Sequence, residues 1–230
     1  MKRRSGLIIV VFIISMLVAC DKPEEEITAT DVDGNVYNAV TIGTQVWMAE
    51  NLKVTHYSDG TKLPELKVGW IGTSSGAYCY YNNEMINADT SGVLYNWFAI
   101  DDSRSLAPEG WHVPTDAEWK ALEMHLGMSQ LSVDSVWYRG VDEGSQLKST
   151  AGWSDGGNGS NTSGFNAKPG GYHSSGGDLF GSKTSWACFM SISETEDNLI
   201  YGRILMSDKL TVYRASFQKM VGVSVRCVKD

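Results

Sequence analysis

The chain has 230 residues, 42% of them hydrophobic and 10% aromatic, which is enough apolar material for a packed core and excludes a wholly disordered protein. Its 27 acidic residues outnumber the 19 Lys and Arg residues, which gives a formal charge of -8, and no basic block is present. This acidic balance excludes a typical nucleic-acid-binding protein, so no nucleic acid is expected as a partner.

The chain begins with the pattern of a secretory leader. Lys2-Arg3-Arg4 precedes an apolar run, Leu7 to Val18, that is short for a membrane span. The run ends in Leu17-Val18-Ala19-Cys20, which resembles the lipobox of bacterial lipoproteins. That resemblance implies that residues 1–19 are a lipoprotein signal peptide and that Cys20 is acylated with chains such as palmitate. The alternatives are an ordinary signal peptide or a signal anchor in which the cysteine is a coincidence.

Residues 20–26, Cys20-Asp21-Lys22-Pro23-Glu24-Glu25-Glu26, are predicted to be a lipidated acidic linker that holds the domain off the bilayer. Acidic residues directly after the lipid cysteine also resemble the surface-export signal of Bacteroidota lipoproteins. We therefore expect the membrane to be a partner, through the lipid on Cys20, and the location to be the outer membrane or cell surface. The sequence leaves open whether the lipid sits in the periplasmic or the outward-facing leaflet.

Three cysteines remain beyond the leader: Cys79, Cys188 and Cys227. They form no Cys-x-x-Cys pair, so neither a zinc site nor a thioredoxin-type site is predicted. In an oxidising compartment at most one disulfide can form within the domain. Cys227 lies in an apolar alternating segment and its partner is either Cys79 or Cys188, of which we favour Cys79.

A β-hairpin is the first element predicted after the linker. The turn 31–35 is followed by alternating apolar residues from Val36 to Ile42, a second turn at Gly43-Thr44, and the run 45–48. Asp31-Val32-Asp33-Gly34-Asn35 also begins like a calcium-binding loop. The residues up to Ile42 supply none of the further ligands that such a loop needs, so a turn is favoured and no metal site is predicted.

Two helices are predicted. Val93 to Ile100 has apolar residues at helical spacing, and Pro114 to Leu126 carries one apolar stripe. Thr115 and Glu118 form a capping box at the start of the second helix, and Gly127 supplies its end.

The remaining chain is a Gly-rich segment flanked by strands. Residues 144–181 contain many glycines punctuated by aromatic side chains, which predicts an ordered lobe dominated by loops. In the last strand, Val223, Val225 and Cys227 alternate with Ser224 and Arg226. The predicted strands are 78–81, 199–206, 210–215 and 222–228. Together the elements predict one α+β domain over residues 27–230.

Several runs together carry a resemblance to a known family. They are Asp31 to Tyr37, Ile42 to Leu52, Gly92 to Trp97, Pro108 to Thr115 and Ser224 to Cys227. These runs resemble, in the family's order, the Fibrobacter succinogenes major paralogous domain of bacterial surface lipoproteins. The chain departs from the family at Ala107, where a cysteine is frequent, and at Ala187-Cys188, where Trp-Ser-Ser is frequent. Both departures involve a cysteine, so no disulfide pattern is carried over.

A more distant resemblance concerns the fold. Val113-Pro114-Thr115-Asp116-Ala117-Glu118-Trp119 and the ending Val223-Ser224-Val225-Arg226 are similar to runs of formylglycine-generating enzymes. That resemblance implies a C-type-lectin-like fold with short strands, two short helices and long Gly-rich loops.

Surface anchorage and a loop-rich aromatic lobe favour a binding or adhesion protein. Aromatic faces stack on sugar rings, and amide or carboxylate groups bond the hydroxyls, so a glycan or fibre polymer is the expected ligand. The calcium-dependent sugar motifs of C-type lectins are absent from the sequence, so recognition is expected to be independent of calcium. The candidate contacts are Trp153, Asp155, Asn158, Asn161, Tyr172 and His173. The alternative for the aromatic members is that they fill the lobe's own core.

Two other functions compete with glycan binding. One is a structural envelope protein that packs against other surface proteins, which the sequence does not separate from a glycan-binding protein. The least favoured is an oxidase like the formylglycine-generating enzymes, which would need a pair of thiolates for copper(I). No such cysteine pair and no nucleophile–base arrangement is evident, so we expect no catalytic residues and no cofactor.

Overall fold

A computed structural model describes residues 26–230. The predicted signal peptide 1–19 and Cys20, with the linker up to residue 25, lie outside the described residues. Within residues 26–230, no helix combines the length and the apolar character needed to cross a membrane.

Thirteen short strands form four sheets within these residues. The first seven are β1 (Thr28–Thr30), β2 (Val36–Ile42), β3 (Gln45–Met48), β4 (Tyr78–Cys79), β5 (Leu94–Tyr95), β6 (Trp111–His112) and β7 (Trp137–Arg139). The others are β8 (Tyr172–His173), β9 (Phe180–Gly181), β10 (Trp186–Glu194), β11 (Ile200–Met206), β12 (Val212–Phe217) and β13 (Val228–Lys229). The largest sheet has the order β1-β2-β3-β13-β6 and the second has the order β10-β11-β12-β7, while β4-β5 and β8-β9 form small pairs.

Five short α-helices lie between the strands. They are α1 (Ala88–Ser91), α2 (Trp97–Ile100), α3 (Asp116–His125), α4 (Gln130–Asp134) and α5 (Glu143–Leu147). The combination of short helices with mainly antiparallel sheets confirms the α+β class. The lobe 144–181 is ordered and dominated by loops, as predicted, with α5, β8 and β9 as its main regular elements.

Local sequence signals placed several elements correctly. The predicted hairpin is present, with Val40 opposite Trp47 in the β2–β3 register. The capping box of α3 is also present, because the Thr115 hydroxyl accepts from the Glu118 backbone while the Glu118 carboxylate accepts from the Thr115 backbone. Both signals act between residues that are close in sequence, so the rest of the chain does not override them.

The predicted helix 93–100 is wrong in its first half. Leu94 and Tyr95 instead form β5, which pairs with β4, and the helix begins only after Asn96. The Asn96 carboxamide oxygen accepts hydrogen bonds from the backbone N–H groups of Ala77 and Ala99, both at 3.0 Å. This buried side chain therefore caps α2 and ends the strand at the same point.

Four aromatic rings from distant parts of the chain meet behind α3. Trp119 of α3 lies 4.9 Å from Trp47 of β3, 5.6 Å from Phe165 of the lobe and 5.6 Å from Phe189 of β10, measured between ring centroids. All four are buried. This cluster packs the hairpin, the helix, the lobe and the second sheet against one another.

Two buried carboxylates on α3 bind three arginines of the second sheet. Glu123 accepts from Arg139 at 2.8 Å and from Arg203 at 2.6 Å. Asp116 accepts from Arg203 at 2.8 Å and from Arg214 at 2.6 Å. Burial by itself would raise the pKa of Asp116, but the hydrogen bonds and charges of Arg214 and Arg203 outweigh it and lower that pKa. We call these five residues the arginine–carboxylate network.

The network contains three arginines and two carboxylates, so it has one positive charge in excess. Aromatic faces and a backbone carbonyl make further contacts with the guanidinium groups. The Arg203 guanidinium lies 5.8 Å from the centre of the Trp119 ring, and that of Arg214 lies 4.0 Å from the centre of the Tyr201 ring. Arg214 also donates to the backbone carbonyl of Asp134 at 3.3 Å. The buried positive charge is therefore accompanied by favourable partners.

The predicted strand 222–228 is reduced to isolated bridges at residues 222–224 and the strand β13, and this closing segment is buried on both faces. Arg226 is 1% exposed and donates to the Asn51 side chain at 2.6 Å and to the carbonyls of Met48 at 2.9 Å and Phe165 at 2.6 Å. It also donates to the Asn166 carbonyl at 3.1 Å. Burial lowers the pKa of Arg226 to about 9. This one side chain joins the hairpin, the lobe and the closing segment.

The predicted disulfide between Cys79 and Cys227 is not formed among the described residues, where Cys79, Cys188 and Cys227 are all buried free thiols. Cys79 packs with Trp70 in a small cluster, whereas Cys188 and Cys227 belong to the main core, so the favoured pair is separated by packing. Burial raises the pKa of all three thiols, which disfavours the thiolate form.

His112 is held between two carboxylates. Its Nδ1 lies 2.6 Å from an Asp230 oxygen and its Nε2 lies 2.7 Å from a Glu118 oxygen. Partial burial would lower the pKa of His112, but the hydrogen bonds to Asp230 and Glu118 outweigh it and raise that pKa. Both ring nitrogens can donate at once only when the imidazole is protonated.

We expect the Glu123→Gln variant to lose about 3 kcal/mol of unfolding free energy, because Arg139 and Arg203 keep their charge without its buried partner. Urea denaturation monitored by tryptophan fluorescence measures this loss. The matched control is Asp208→Asn, which removes the exposed pair with Lys209 and is expected to leave the transition unchanged. Equal midpoints for wild type and Glu123→Gln would contradict the stabilising role of the network.

We expect the stabilisation from His112 to be present at low pH and lost as pH rises. A group whose pKa is higher in the folded state contributes fully below its unfolded pKa of about 6.5 and loses that contribution as pH rises through the folded pKa. The wild type should therefore exceed His112→Gln in unfolding free energy at about pH 5 by more than it does at about pH 9. Urea denaturation at both pH values measures the difference, and a gap that widens with pH would show that the sign is wrong.

Candidate functional site

Strand alternation brings large side chains to one face of the second sheet. Tyr213 on β12 lies opposite Ile204 on β11 and Tyr138 on β7. Trp186 on β10 lies opposite Met206 on β11. Side chains that are directly opposite or two residues apart share a face, so these five project to the same side. The arginines of the network lie on the other side of the same strands.

This face is the floor of an open groove. A cavity of about 530 Å³ is bounded by these side chains together with Trp137 and Phe217. A smaller cavity of about 140 Å³ adjoins it, shares Trp186, Ile204 and Phe217, and adds Tyr172 from β8. We call the two cavities together the aromatic groove. Its size and apolar lining suit a small-molecule or oligomer site.

The aromatic rings of the groove contact one another at both ends. Trp137 and Tyr138 each make an edge-on contact with Tyr213. The ring centroids are 5.7 Å apart with 78° between the planes for Trp137, and 4.9 Å apart with 70° for Tyr138. At the other end Tyr172 stacks on Trp186 at 5.9 Å and 26°. These contacts restrict the rings before any ligand arrives.

Trp137 has an unusual backbone conformation. Its φ is 70°, in the left-handed region that a bulky side chain rarely adopts, and its side chain is 65% exposed. A strained backbone that presents a large aromatic ring to solvent is a feature that clusters at ligand sites. Tyr138 beside it is 52% exposed.

The charges near the groove are paired. Arg214 is among the residues that bound the larger cavity, but its side chain lies on the network side of the sheet, where Nε and Nη2 donate to the two oxygens of Asp116 at 3.1 and 2.6 Å. Lys209, whose ammonium lies 5.8 Å from the centre of the Tyr138 ring, is paired with Asp208 at 2.9 Å. Partial burial raises the pKa of Tyr213, so its phenol stays neutral and can both donate and accept a hydrogen bond.

Trp153, the first predicted ligand contact, is enclosed in the lobe. It is 6% exposed, its indole N–H donates to the Ser149 hydroxyl at 3.1 Å, and its ring lies 5.2 Å from the Lys148 ammonium. Asn158, another predicted contact, accepts a hydrogen bond from the Trp153 backbone at 3.1 Å. Trp153 therefore fills the core of the lobe, which was the alternative considered for it.

Asp155 and Asn161 occupy turns of the lobe. Both have positive φ, 53° for Asp155 and 51° for Asn161. The Asn161 side chain accepts from the Asn166 backbone at 2.7 Å, and Asp155 is exposed. Asn161 thus stabilises the local loop, and neither residue lines the aromatic groove.

The adjacent residues Tyr172 and His173 have opposite environments. Tyr172 lines the aromatic groove. His173 is fully buried, stacked on Trp70 at 4.4 Å and met edge-on by Phe180 at 4.8 Å. Neither of its ring nitrogens has a hydrogen-bond partner within the described part of the chain, and burial lowers the pKa of His173. Of the six predicted contacts, only Tyr172 lies in the groove.

Sequence reasoning missed Trp137, Tyr138 and Tyr213, and it assigned Trp186 no strand. The pair Trp137-Tyr138 stands among polar residues just before Arg139-Gly140, which is a signal of exposed aromatic side chains. This local pattern does not indicate that Trp137 and Tyr138 lie beside Tyr213, because β7 and β12 are brought together only by long-range strand pairing.

The residues 26–230 contain no cluster of three or more His, Cys, Asp or Glu side chains that could hold a metal ion. A family model described as Fibrobacter succinogenes major domain matches residues 40–229. No curated protein and no solved structure matches the chain.

We expect Trp153→Ala to cost about 3–5 kcal/mol of unfolding free energy, because it empties a buried site. Trp137→Ala removes a ring of similar size from an exposed position and should change stability by roughly 1 kcal/mol or less. Urea denaturation of both variants, followed by far-UV circular dichroism, measures the two costs. Equal costs would contradict the assignment of Trp153 to the core and Trp137 to the surface.

Proposed function

The chain belongs to the Fibrobacter succinogenes major domain family, and from the aromatic groove and the lipobox-like run that ends at Cys20 we propose that it is a lipid-anchored carbohydrate-binding protein of the outer membrane or cell surface. The single observation that carries the proposal is the set of aromatic rings that line an open cavity on one sheet face. The lipid on Cys20 belongs to the proposal as well, and it is supported by the lipobox-like run that ends at that residue.

The chemistry of the groove suits sugar rings. A pyranose has C–H faces that stack on aromatic rings and a rim of hydroxyls that both donate and accept hydrogen bonds. Trp137, Tyr138 and Trp186 supply aromatic faces, and the Tyr213 phenol supplies a neutral hydrogen-bonding group. Recognition of this kind uses no metal ion, so the proposed binding is independent of calcium.

The proposal includes a C-type-lectin-like fold. It is supported by the small amount of regular structure and by the long loops of the lobe 144–181. It is also supported by the pairing of the closing strand β13 with β3 of the N-terminal hairpin, where Val228 lies opposite Trp47. The five-stranded sheet contains both the first strands, β1 to β3, and the last strand, β13. The aromatic groove lies on the four-stranded sheet β10-β11-β12-β7 instead.

A second candidate function is packing against other envelope proteins. It is favoured by five large aliphatic side chains, each between 62% and 70% exposed: Val68, Ile71, Met85, Ile86 and Leu179. The loops that carry them are tied together, since the Asp178 carboxylate accepts from the Gly69 backbone at 2.9 Å and Asn83 donates to the Lys67 carbonyl at 3.1 Å. Exposed apolar groups on neighbouring loops are typical of protein-interaction surfaces.

We expect residues 26–230 to bind immobilised glycans, and Trp137→Ala and Tyr138→Ala each to weaken binding about tenfold, which corresponds to about 1.4 kcal/mol per lost stacking ring. A glycan array identifies the bound sugars, and isothermal titration calorimetry with the best one, with and without a chelator, measures affinity.

The matched control is Met85→Ala, which truncates an equally exposed side chain outside the groove and should bind like the wild type. Absence of binding to every glycan on the array would overturn the proposal. Loss of cross-links to envelope proteins in an Ile71→Asp variant would then favour the second candidate.

A further inference from the structure

The shape and charge of the aromatic groove restrict the kind of carbohydrate that it can hold. We propose, resting on the carbohydrate-binding function above, that the groove takes an uncharged oligosaccharide that lies across the strands and covers several aromatic positions in a row. Three features of the groove favour such a ligand: the order of the rings, the pairing of the charges and the neutrality of the polar groups.

The rings are arranged in the order of the strands. Tyr138 lies on the edge strand β7, Tyr213 on its neighbour β12, and Trp186 on β10 at the opposite edge of the sheet. Strand β11, between β12 and β10, contributes the flat aliphatic floor of Ile204 and Met206. Because neighbouring strands are about 4.8 Å apart, the rings on β7 and β10 are separated by about 14 Å across the sheet.

That span is longer than one sugar ring and accommodates three or four rings laid end to end. Tyr172 extends the row beyond Trp186, because the residue before it, Gly171, bridges to Ala187 of β10. A ligand that ran along the strands would meet Ile204 and Met206 but few aromatic faces. The row of rings therefore favours an extended chain that crosses the strands.

No free charge is available to a ligand at the described lining of the groove. Arg214 is the charged residue of the lining, and its side chain lies on the other side of the sheet, where both oxygens of Asp116 neutralise it. At the rim, Lys209 is paired with Asp208. A uronate, sulfate or ammonium group placed on the aromatic floor would lose hydration without gaining an opposite charge.

The polar groups at the groove are neutral hydroxyls. The Tyr213 phenol borders the larger cavity, and Ser174 and Ser175 border the smaller one. Hydroxyl groups can donate to and accept from sugar hydroxyls in either direction, but they give little discrimination in favour of a charged substituent. The lining therefore matches an uncharged sugar chain.

The test is calorimetric titration of residues 26–230 with two series of probes. The neutral series contains gluco- and manno-oligosaccharides of one to six rings, and the charged series contains oligogalacturonides and chitosan oligomers of the same lengths. We expect affinity in a neutral series to rise with each added ring up to three or four rings and then to level off. Charged oligomers of equal length should bind at least about tenfold more weakly, since a charged group is desolvated without a partner.

A Tyr138→Ala variant tests whether the bound oligosaccharide crosses the strands. The substitution should lower the affinity for the longest neutral oligomers about tenfold. Disaccharides can bind at Trp186 and Tyr172, so their affinity should stay within about twofold of wild type. The control Met85→Ala should leave the whole series unchanged. An unchanged affinity for the disaccharide also shows that the Tyr138→Ala variant is folded.

The outcomes separate this inference from the function on which it rests. Binding that is tighter for the charged series, or that does not depend on length, overturns the inference while the carbohydrate-binding function stands. Absence of binding to both series and to the glycan array overturns the function itself. Concentration-dependent dimerisation that is lost in Tyr138→Ala would identify the groove as an interface between two copies and would overturn both.

Discussion

The arginine–carboxylate network is the constraint on which the second sheet depends. Asp116 and Glu123 are two turns apart on α3, so both point to the same side of the helix. Their guanidinium partners come from three different strands, β7, β11 and β12. Because each buried charge is costly without its partner, the helix orientation and the strand register are those that bring all five charged groups together. The opposite face of those strands is thereby held in a defined shape.

The aromatic groove follows from that arrangement. With the network on one side of the sheet, strand alternation sends Tyr213 and Tyr138 to the other side, where no helix of residues 26–230 covers them. The rings then pack on one another, and Trp137 adopts a left-handed backbone beside them. A site whose floor is fixed by a buried ionic network loses little conformational freedom on binding, which supports the proposed recognition of an extended sugar chain.

The lobe that the sequence singled out serves a different purpose. Phe165 packs into the shared aromatic cluster, and Arg226 binds the carbonyls of Phe165 and Asn166, so the lobe is closed onto the core. Trp153 lies within it, and of the predicted contacts only Tyr172 reaches the groove. A count of aromatic and polar residues in a Gly-rich segment cannot distinguish side chains that fill a loop's own interior from those that face a ligand, because both uses need the same residue types.

The sequence by itself determined the elements that short-range interactions stabilise: the hairpin 36–48, the capping box of α3, and the ordered, loop-rich character of residues 144–181. It also determined the α+β class, since the periodicities of strands and helices are local. Only the tertiary structure decided the helix start after Asn96, the burial of Arg226 and the position of the aromatic groove. Each of these depends on partners far away in the chain, as when β7 pairs with β12, and neither periodicity nor propensity records such pairings.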